Sequence, residues 1–142
     1  MATLSLATIT RHMRQLDICM MVTESKGGAL SSRPMSNNKD VKYNGDSYFF
    51  TFEGSQKIKD IESNAQVNLN FEGKDMLYIS IAGKAKLIRN KTAFEEHWVD
   101  GLEQWFKKGV DTPGMVLIHI KGSKLRYWQK EKEGAIKLNK KS

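Results

Sequence analysis

The chain has 142 residues but only one cysteine and no long apolar stretch. Cys19 cannot form a disulfide within the chain, and because it lies in the apolar run 18–22 we expect a buried core thiol rather than a nucleophile. No window approaches the ~18 apolar residues of a membrane-spanning helix, and the first residues lack the pattern of a signal peptide. We therefore expect a soluble, cytoplasmic protein with no membrane partner.

Histidine is also scarce. His12, His97 and His119 lie far apart in the sequence and have no companions at the spacing typical of a metal site. The sequence shows no Ser-His-Asp arrangement and no Gly-rich loop of the dinucleotide-binding type. We therefore expect no metal, and the sequence identifies no catalytic side chain.

Acidic residues are outnumbered, with 16 Asp and Glu against 23 Lys and Arg, and the formal net charge is +7. Five of the lysines fall within residues 130–142, which we expect to form a basic, mobile C-terminal tail, with a nucleic-acid-binding arm as the alternative. The rest of the chain is only mildly basic, which would suit an anionic cofactor.

Hydrophobic periodicity predicts the secondary structure. Apolar residues at helical spacing predict a helix over residues 3–15. A second helix is predicted after Ser55, with Asn64 as its end, and a third from the capping box at Thr92 to Gly109. Alternating or apolar runs predict six strands, over residues 17–25, 29–36, 47–53, 66–71, 76–88 and 115–128.

These elements predict an α+β, mainly β fold in which six antiparallel strands close into a small barrel flanked by three helices. Gly83, inside the longest alternating segment, is expected to mark a bend or bulge. We assign residues 1–129 to one domain and residues 130–142 to the tail.

Three polar residues have the chemistry of a phosphate site. Arg33 offers a fork of donors that matches phosphate oxygens. Ser55 opens a helix whose first turn has free N–H groups and a favourable dipole, and Lys57 adds a positive charge there. Each also has an ordinary interpretation, since Arg33 and Lys57 would be solvated on a surface and Ser55 would be an N-cap without any ligand.

Seven sequence pieces in order resemble a known family over about residues 5–129. The chain is similar to the general-stress-protein branch of the pyridoxamine 5′-phosphate oxidase-like, flavin-binding split-barrel proteins. The matching pieces are Ser32-Arg33-Pro34-Met35, Phe50-Thr51, Ser55-x-Lys57-x-x-x-Ile61, Val67-Asn68-Leu69, the segment 79–85, Trp105-Phe106-x-x-Gly109-x-Asp111-x-Pro113, and Tyr127-Trp128.

The resemblance implies a homodimer of Greek-key split β-barrels with flavin mononucleotide (FMN) at the subunit interface, and flavin adenine dinucleotide (FAD) as a second candidate. It implies that Arg33, Ser55 and Lys57 bind the phosphate. The strand residues that it places along the isoalloxazine ring and ribityl chain are Pro34, Met35, Phe50 and Thr51. It also implies aromatic contacts from the partner subunit, for which Trp105 and Trp128 are the candidates, although tryptophans are first of all core or interface residues.

The chain departs from true pyridoxamine-phosphate oxidases at two points. Those enzymes carry basic residues at both positions that are occupied here by Gln56 and Lys57, and their C-terminal Arg and His constellation is not found in this sequence. The resemblance therefore does not favour vitamin B6 oxidation.

Three functions are compatible with the sequence. The first is a stress-related, FMN-dependent oxidoreductase acting on an unknown small substrate, and the second is a non-catalytic protein that stores or senses flavin. The third is a nucleic-acid-binding small barrel, for which residues 126–130 are the single place where aromatic and basic residues alternate.

Overall fold

The computed structural model describes residues 3–37 and 43–138. The helices are α1 (Leu6–Met13), α2 (Gln56–Ser63) and α3 (Lys91–His97), followed by two short 3-10 helices, Leu102–Gln104 and Gly109–Asp111. The strands are β1 (Ile18–Glu24), β2 (Leu30–Ser36), β3 (Asp46–Phe52), β4 (Gln66–Glu72), β5 (Leu77–Ile88), β6 (Met115–Gln129) and β7 (Lys132–Lys137). No helix within the described ranges is long and apolar enough to cross a membrane.

The strands form one antiparallel sheet with the order β2-β1-β4-β5-β6-β3. The long strand β6 pairs with β3 over its first half and with β7 over its second half. Strands β2 and β3 are the two ends of this path, and no pairing between them is found in the described residues. The predicted α+β, mainly antiparallel fold with three helices is confirmed, and the outer edges of β2 and β3 have no strand partner among the described residues.

The predicted number of strands was wrong, because the described part of the chain forms a sheet of seven strands and not six. β7 lies inside the segment that the sequence assigned to a basic tail, and it pairs with β6 from Gln129↔Lys132 to Lys124↔Lys137. The charged residues of β7 obscure the alternation of apolar and polar residues that would predict a strand. Leu138, just after β7, is 5% exposed and belongs to the core. Residues 139–142 lie outside the described ranges.

The third helix is much shorter than the capping-box pattern predicted. Asn90, not Thr92, caps α3, and its side chain accepts a hydrogen bond from the N–H of Ala93 at 2.9 Å. The helix ends at His97, the backbone of Trp98 is extended, and Gly101 turns the chain at a φ of 98°. The segment up to Asp111 therefore follows two separate 3-10 turns instead of continuing the helix.

Two hydrophobic clusters hold the fold together. The main cluster contains the inward faces of the strands and one face of α1 and α2, as the alternation in β4 predicted. The smaller cluster lies beneath residues 91–111 and is built on Phe94, Phe106, Met115 and Leu117, with Phe50 of β3 packed against it. This second cluster fixes α3 and the 3-10 turns against β3.

The predicted bulge at Gly83 is confirmed, because the register between β5 and β6 shifts between Ala82 and Gly83. A Cβ atom added at Gly83 would lie 2.7 Å from the backbone oxygen of Lys121. The two backbones thus approach more closely than a side chain permits.

We expect Gly83→Ala to lower the free energy of unfolding by about 2 kcal/mol or more, because a backbone atom of the neighbouring strand has to move. Gly27→Ala is the matched control, since no atom lies within 4 Å of its added Cβ, and we expect a change within about 0.5 kcal/mol. Chemical denaturation measures both values, and equal midpoints for the two variants would contradict the bulge.

Cys19 is 1% exposed, as expected for a core thiol. Burial raises the pKa of this thiol to about 12, so that very little thiolate exists near neutral pH. We expect a thiol reagent to leave the native protein unmodified at about pH 8 and to modify one thiol per chain once the protein is denatured. Rapid labelling of the native protein would contradict the buried position.

Candidate functional site

A cavity of about 270 Å³ lies where the end strands β2 and β3 face each other. We call it the edge cavity. Its floor and sides come from residues 34–37 and 48–52, and it is completed by Lys57 of α2 and by His97, Val99, Leu102, Trp105 and Phe106. The edge of a sheet presents backbone N–H and C=O groups without strand partners, so a ligand here can bind the main chain as well as side chains.

Six of the nine residues that the sequence singled out line this cavity: Pro34, Met35, Phe50, Thr51, Lys57 and Trp105. They come from segments far apart in the sequence, and the topology brings them together because β2 and β3 are the two ends of one sheet. Arg33, Ser55 and Trp128 do not line it.

One wall of the edge cavity is aromatic. Phe50 makes edge contacts with Phe94, Trp98 and Phe106, at ring-centroid distances of 5.8, 5.4 and 6.1 Å. Phe52 packs on Phe106 with the centroids 4.9 Å apart. The wall suits a flat, apolar ligand, because ring faces and edges offer large contact areas at low entropy cost.

Trp105 stands at the rim of this wall and is 61% exposed. The loop that carries it is held by Glu103, whose carboxylate accepts hydrogen bonds from Nε1 of Trp98 at 2.6 Å and from the N–H of Gly101 at 3.2 Å. The bond from Trp98 is the main reason that the pKa of Glu103 lies below its usual value. The Trp105 indole is thus presented on a fixed loop with most of its surface uncovered.

Lys57 contributes a positive charge to the lining of the edge cavity. It is the second residue of α2 and is partly buried. Burial, and then the positive charge of Arg33, lower the pKa of its ammonium group. Within the described ranges no carboxylate forms a salt bridge with it, so the charge has no protein counter-ion there.

Arg33 is part of a buried polar network and not a solvated surface residue. Its Nη1 donates to Thr23 Oγ1 at 2.6 Å and to the backbone oxygens of Met21 and Ser31 at 3.2 and 3.3 Å. Its Nη2 lies 3.6 Å from Oδ2 of Asp60, whose side chain is 1% exposed. The hydrogen bonds to Thr23, Met21 and Ser31 use Nη1, and Nη2 lies beside Asp60. Because Nη2 carries two N–H groups, one of them and the Nε–H can still donate to a ligand along the Nε–Nη2 edge.

Ser55 is the N-cap residue of α2 by its extended backbone, but its hydroxyl does not cap the helix. Oγ donates instead to the backbone oxygen of Phe52 at 3.1 Å. The expected side-chain cap was therefore wrong. The backbone N–H groups of the first turn, at Gln56 and Lys57, have no partner one turn earlier in the helix and point out of its N-terminus.

Trp128 lies on the outer face of the sheet and does not line the edge cavity. It pairs with Tyr78 across β5 and β6, and both side chains line a depression on that face together with Ile18 and Met20. Met20 in turn pairs with Pro34 across β1 and β2. The depression that contains Trp128 therefore lies beside the strand that carries the Pro34 side of the edge cavity.

Sequence reasoning missed the partners of Arg33. Asp60 looks like a residue of a solvated helix face, since it follows Lys57 and Lys59, and Thr23 looks like an ordinary strand residue. Both are 1% exposed. Burial opposes ionisation of Asp60, but hydrogen bonds from Gln56 and Thr23 and the charge of Arg33 outweigh it and hold the pKa of its carboxyl below the usual value.

The sequence also gave no sign of a second cavity of about 400 Å³. It shares five lining residues with the edge cavity: Asn37, Tyr48, Phe49, His97 and Val99. The Tyr48 ring is stacked between His97 and His119, with centroid distances of 3.6 and 4.5 Å. His119 Nε2 lies 3.0 Å from Oδ1 of Asp46. In the described part of the chain, no three His, Cys, Asp or Glu side chains come close enough together to hold a metal ion.

Comparison with known sequences identifies proteins that are similar to this chain. The sequence profile described as pyridoxamine 5′-phosphate oxidase like matches residues 5–141. General stress protein 26 of Bacillus subtilis (strain 168) is 31% identical over 83 residues, which are 56% of this chain and 59% of that protein. The match with this curated relative thus spans less than two thirds of its length.

Solved structures share the fold at lower identity. A protein related to general stress protein 26 from Clostridium acetobutylicum superimposes with a TM-score of 0.82 at 17% identity over 93% of both chains. General stress protein 26 from Bacillus anthracis str. Sterne has a TM-score of 0.71 at 23% identity, with 94% of this chain and 96% of that chain covered. A heme binding protein from Mycobacterium smegmatis has a TM-score of 0.76 at 9% identity, covering 96% of this chain and 60% of that chain.

The structural likenesses confirm the split-barrel fold expected from the sequence. The profile covers all the described strands and helices and both sides of the edge cavity. The chain therefore belongs to the pyridoxamine 5′-phosphate oxidase-like family, and the relatives it is similar to represent the general-stress-protein branch.

Proposed function

We propose that the protein binds FMN in the edge cavity, with the phosphate at the Lys57 end and the isoalloxazine ring against the aromatic wall. The observation that carries this proposal is the pair of neighbouring cations. Lys57 is partly buried, its pKa is lowered by burial and by Arg33, and it has no carboxylate partner within the described ranges. A bound anion would remove that penalty.

The charges near this end favour a phosphate. Asp60 balances Arg33, which leaves the charge of Lys57 and the N-terminal turn of α2 for the ligand. The Nε–Nη2 edge of Arg33 matches two phosphate oxygens, and the N–H groups of Gln56 and Lys57 supply further donors. Ser55 joins this set if its hydroxyl turns away from the Phe52 oxygen.

The other end of the cavity suits the ring of a flavin. Phe50 and Thr51 on β3, and Pro34 and Met35 on β2, face each other across the split, and the main-chain edges between them can bind the polar atoms of the ring and the ribityl chain. FMN is the first candidate and FAD the second, since both carry the same ring and a phosphate at the same distance from it.

A bound flavin would supply hydride or electron transfer, while the chain binds it, orients it and limits its contact with water. We propose an oxidoreductase that acts on a small molecule reaching the ring from the second cavity, which shares Tyr48 and His97 with the edge cavity. The alternative is a flavin-storing or flavin-sensing protein without turnover. Bleaching of bound flavin by a reduced nicotinamide, and its recovery in air, would support the enzyme, and no bleaching with any donor would support the alternative.

Cofactor identity is tested by the absorption spectrum of the protein as purified. A flavin gives two bands in the window of about 350–500 nm. The fold also occurs in a protein described as heme binding. A bound heme would give a single intense Soret band instead of the two flavin bands. A heme spectrum would overturn the flavin proposal.

We further propose that the protein is a homodimer in which each edge cavity is completed by the partner. Support comes from an apolar sheet surface formed by Ile18, Met20, Tyr78 and Trp128, which are 50, 38, 44 and 36% exposed. Exposed apolar patches of this kind mark interaction sites in proteins that are otherwise polar at the surface. In such a dimer, Trp128 would contact the flavin bound to the partner, since it does not line the edge cavity of its own protomer.

Lys57→Gln is expected to weaken FMN binding by about 1.5–3 kcal/mol, the usual contribution of a hydrogen bond to a charged group. Lys59→Gln is the matched control, because Lys59 lies on the same helix but is exposed and lines no part of the edge cavity. Quenching of flavin fluorescence in a titration gives both dissociation constants. Equal dissociation constants for the two variants would contradict binding of the phosphate at Lys57.

Tyr78→Glu is expected to convert the dimer to a monomer, because it places a charge in the centre of the apolar sheet surface. Light scattering after size-exclusion chromatography measures the mass. Thr92→Glu, which adds the same charge at an exposed position of α3, should leave the mass unchanged. A wild-type protein of monomer mass would end the dimer proposal without affecting the phosphate site.

A further inference from the structure

Asp60 is a buried carboxylate whose contacts all serve the placement of Arg33 and of α2. Its Oδ1 accepts a hydrogen bond from Nε2 of Gln56 at 2.8 Å, and its Oδ2 accepts one from Oγ1 of Thr23 at 2.7 Å. The same Oδ2 lies 3.6 Å from Nη2 of Arg33. No part of Asp60 lines the edge cavity.

Thr23 links the carboxylate to the guanidinium in one direction only. A hydroxyl group has a single proton to donate, and here that proton goes to Asp60. The Thr23 oxygen is then left to accept, and it accepts from Nη1 of Arg33 at 2.6 Å. The backbone oxygens of Met21 and Ser31 accept from the same Nη1 and fix the plane of the guanidinium further.

We propose that Asp60 is a positioning residue. Acting directly and through Thr23, it holds Arg33 so that the Nε–Nη2 edge faces the phosphate, and it thereby makes the site selective for phosphorylated flavin over riboflavin. The inference rests on the proposed function, since it concerns the same phosphate. It assigns a role to two residues, Asp60 and Thr23, that touch neither the cavity nor the ligand.

The direction in which FMN affinity changes on removal of the Asp60 charge distinguishes a positioning role from a purely electrostatic one. A negative charge beside a phosphate site repels the phosphate, so removal of the Asp60 charge alone would tighten FMN binding. If Asp60 acts by orienting Arg33, its removal instead frees a flexible side chain, which must lose rotamer entropy again on binding. The two accounts therefore predict opposite changes for one substitution.

Comparing FMN with riboflavin distinguishes a positioning role of Asp60 from a purely structural one. Breaking a buried ion pair lowers stability wherever it is located, and general loosening of the fold would weaken FMN and riboflavin alike. Positioning of Arg33 concerns the phosphate only. The ratio of the two dissociation constants is thus the informative quantity, and thermal unfolding is recorded beside it.

The experiment titrates the full-length wild-type protein and the variants Asp60→Asn, Thr23→Val and Thr23→Ser with FMN and with riboflavin. We expect the preference for FMN to fall about tenfold in Asp60→Asn and several-fold in Thr23→Val, the size expected when a charged hydrogen bond is lost. Thr23→Ser keeps the hydroxyl and should keep the wild-type preference. Riboflavin affinity should stay within about twofold throughout, because riboflavin has no phosphate.

Tighter FMN binding by Asp60→Asn, or an unchanged preference in both Asp60→Asn and Thr23→Val, would overturn the inference. If Asp60→Asn does not fold, the comparison of Thr23→Val with Thr23→Ser decides alone. A wild-type protein that does not prefer FMN to riboflavin would refute the phosphate site itself, and this result is distinct from a failure of the positioning role.

Discussion

Two cations and one carboxylate set the electrostatics on which the proposed site depends. Asp60 is buried and lies beside Arg33, so its negative charge offsets the positive charge of that guanidinium. Lys57 then stands next to Arg33 with burial and repulsion both lowering its pKa. An arrangement that served stability alone would need no second cation at this place. The unbalanced charge is an unfavourable feature of the free protein that an anionic ligand would convert into binding free energy.

The location of this charged end follows from the way β3 ends. Gly54 turns the chain at a φ of 83°, and α2 begins two residues later. The strand that carries Phe50 and Phe52 into the aromatic wall therefore continues directly into the helix that carries Lys57. Within residues 3–37 and 43–138, β3 pairs with no strand on the side facing β2, so its edge is open between the aromatic wall and Lys57. The segment from β3 to α2 thus provides the aromatic side chains Phe50 and Phe52, the open strand edge and the charge of Lys57. Strand β2 forms the facing side of the cavity.

Local patterns predicted what depends on local contacts. The strands were found because alternation shows directly which side chains are inward, as in Val67, Leu69 and Phe71, all of which are buried. β7 was missed because three of its six residues, Lys132, Glu133 and Lys137, are charged. The predicted third helix was too long because the end of α3 depends on the Trp98–Glu103 contact. The network around Arg33 has no local signature at all. The burial of Asp60 is decided by Thr23 on β1 and Arg33 on β2, which lie 37 and 27 positions away in the sequence.

The two exposed tryptophans lie at different places on the same protomer. Trp105 stands at the rim of the edge cavity, whereas Trp128 lines an outward-facing depression with Ile18, Met20 and Tyr78. Met20 pairs with Pro34, which lines the edge cavity, so this apolar sheet surface begins beside the cavity. In the proposed dimer, a two-fold axis on this surface would shield these apolar side chains from water next to both cavities. The same contact would bury apolar area and complete the ligand site, so that assembly and flavin binding would support each other.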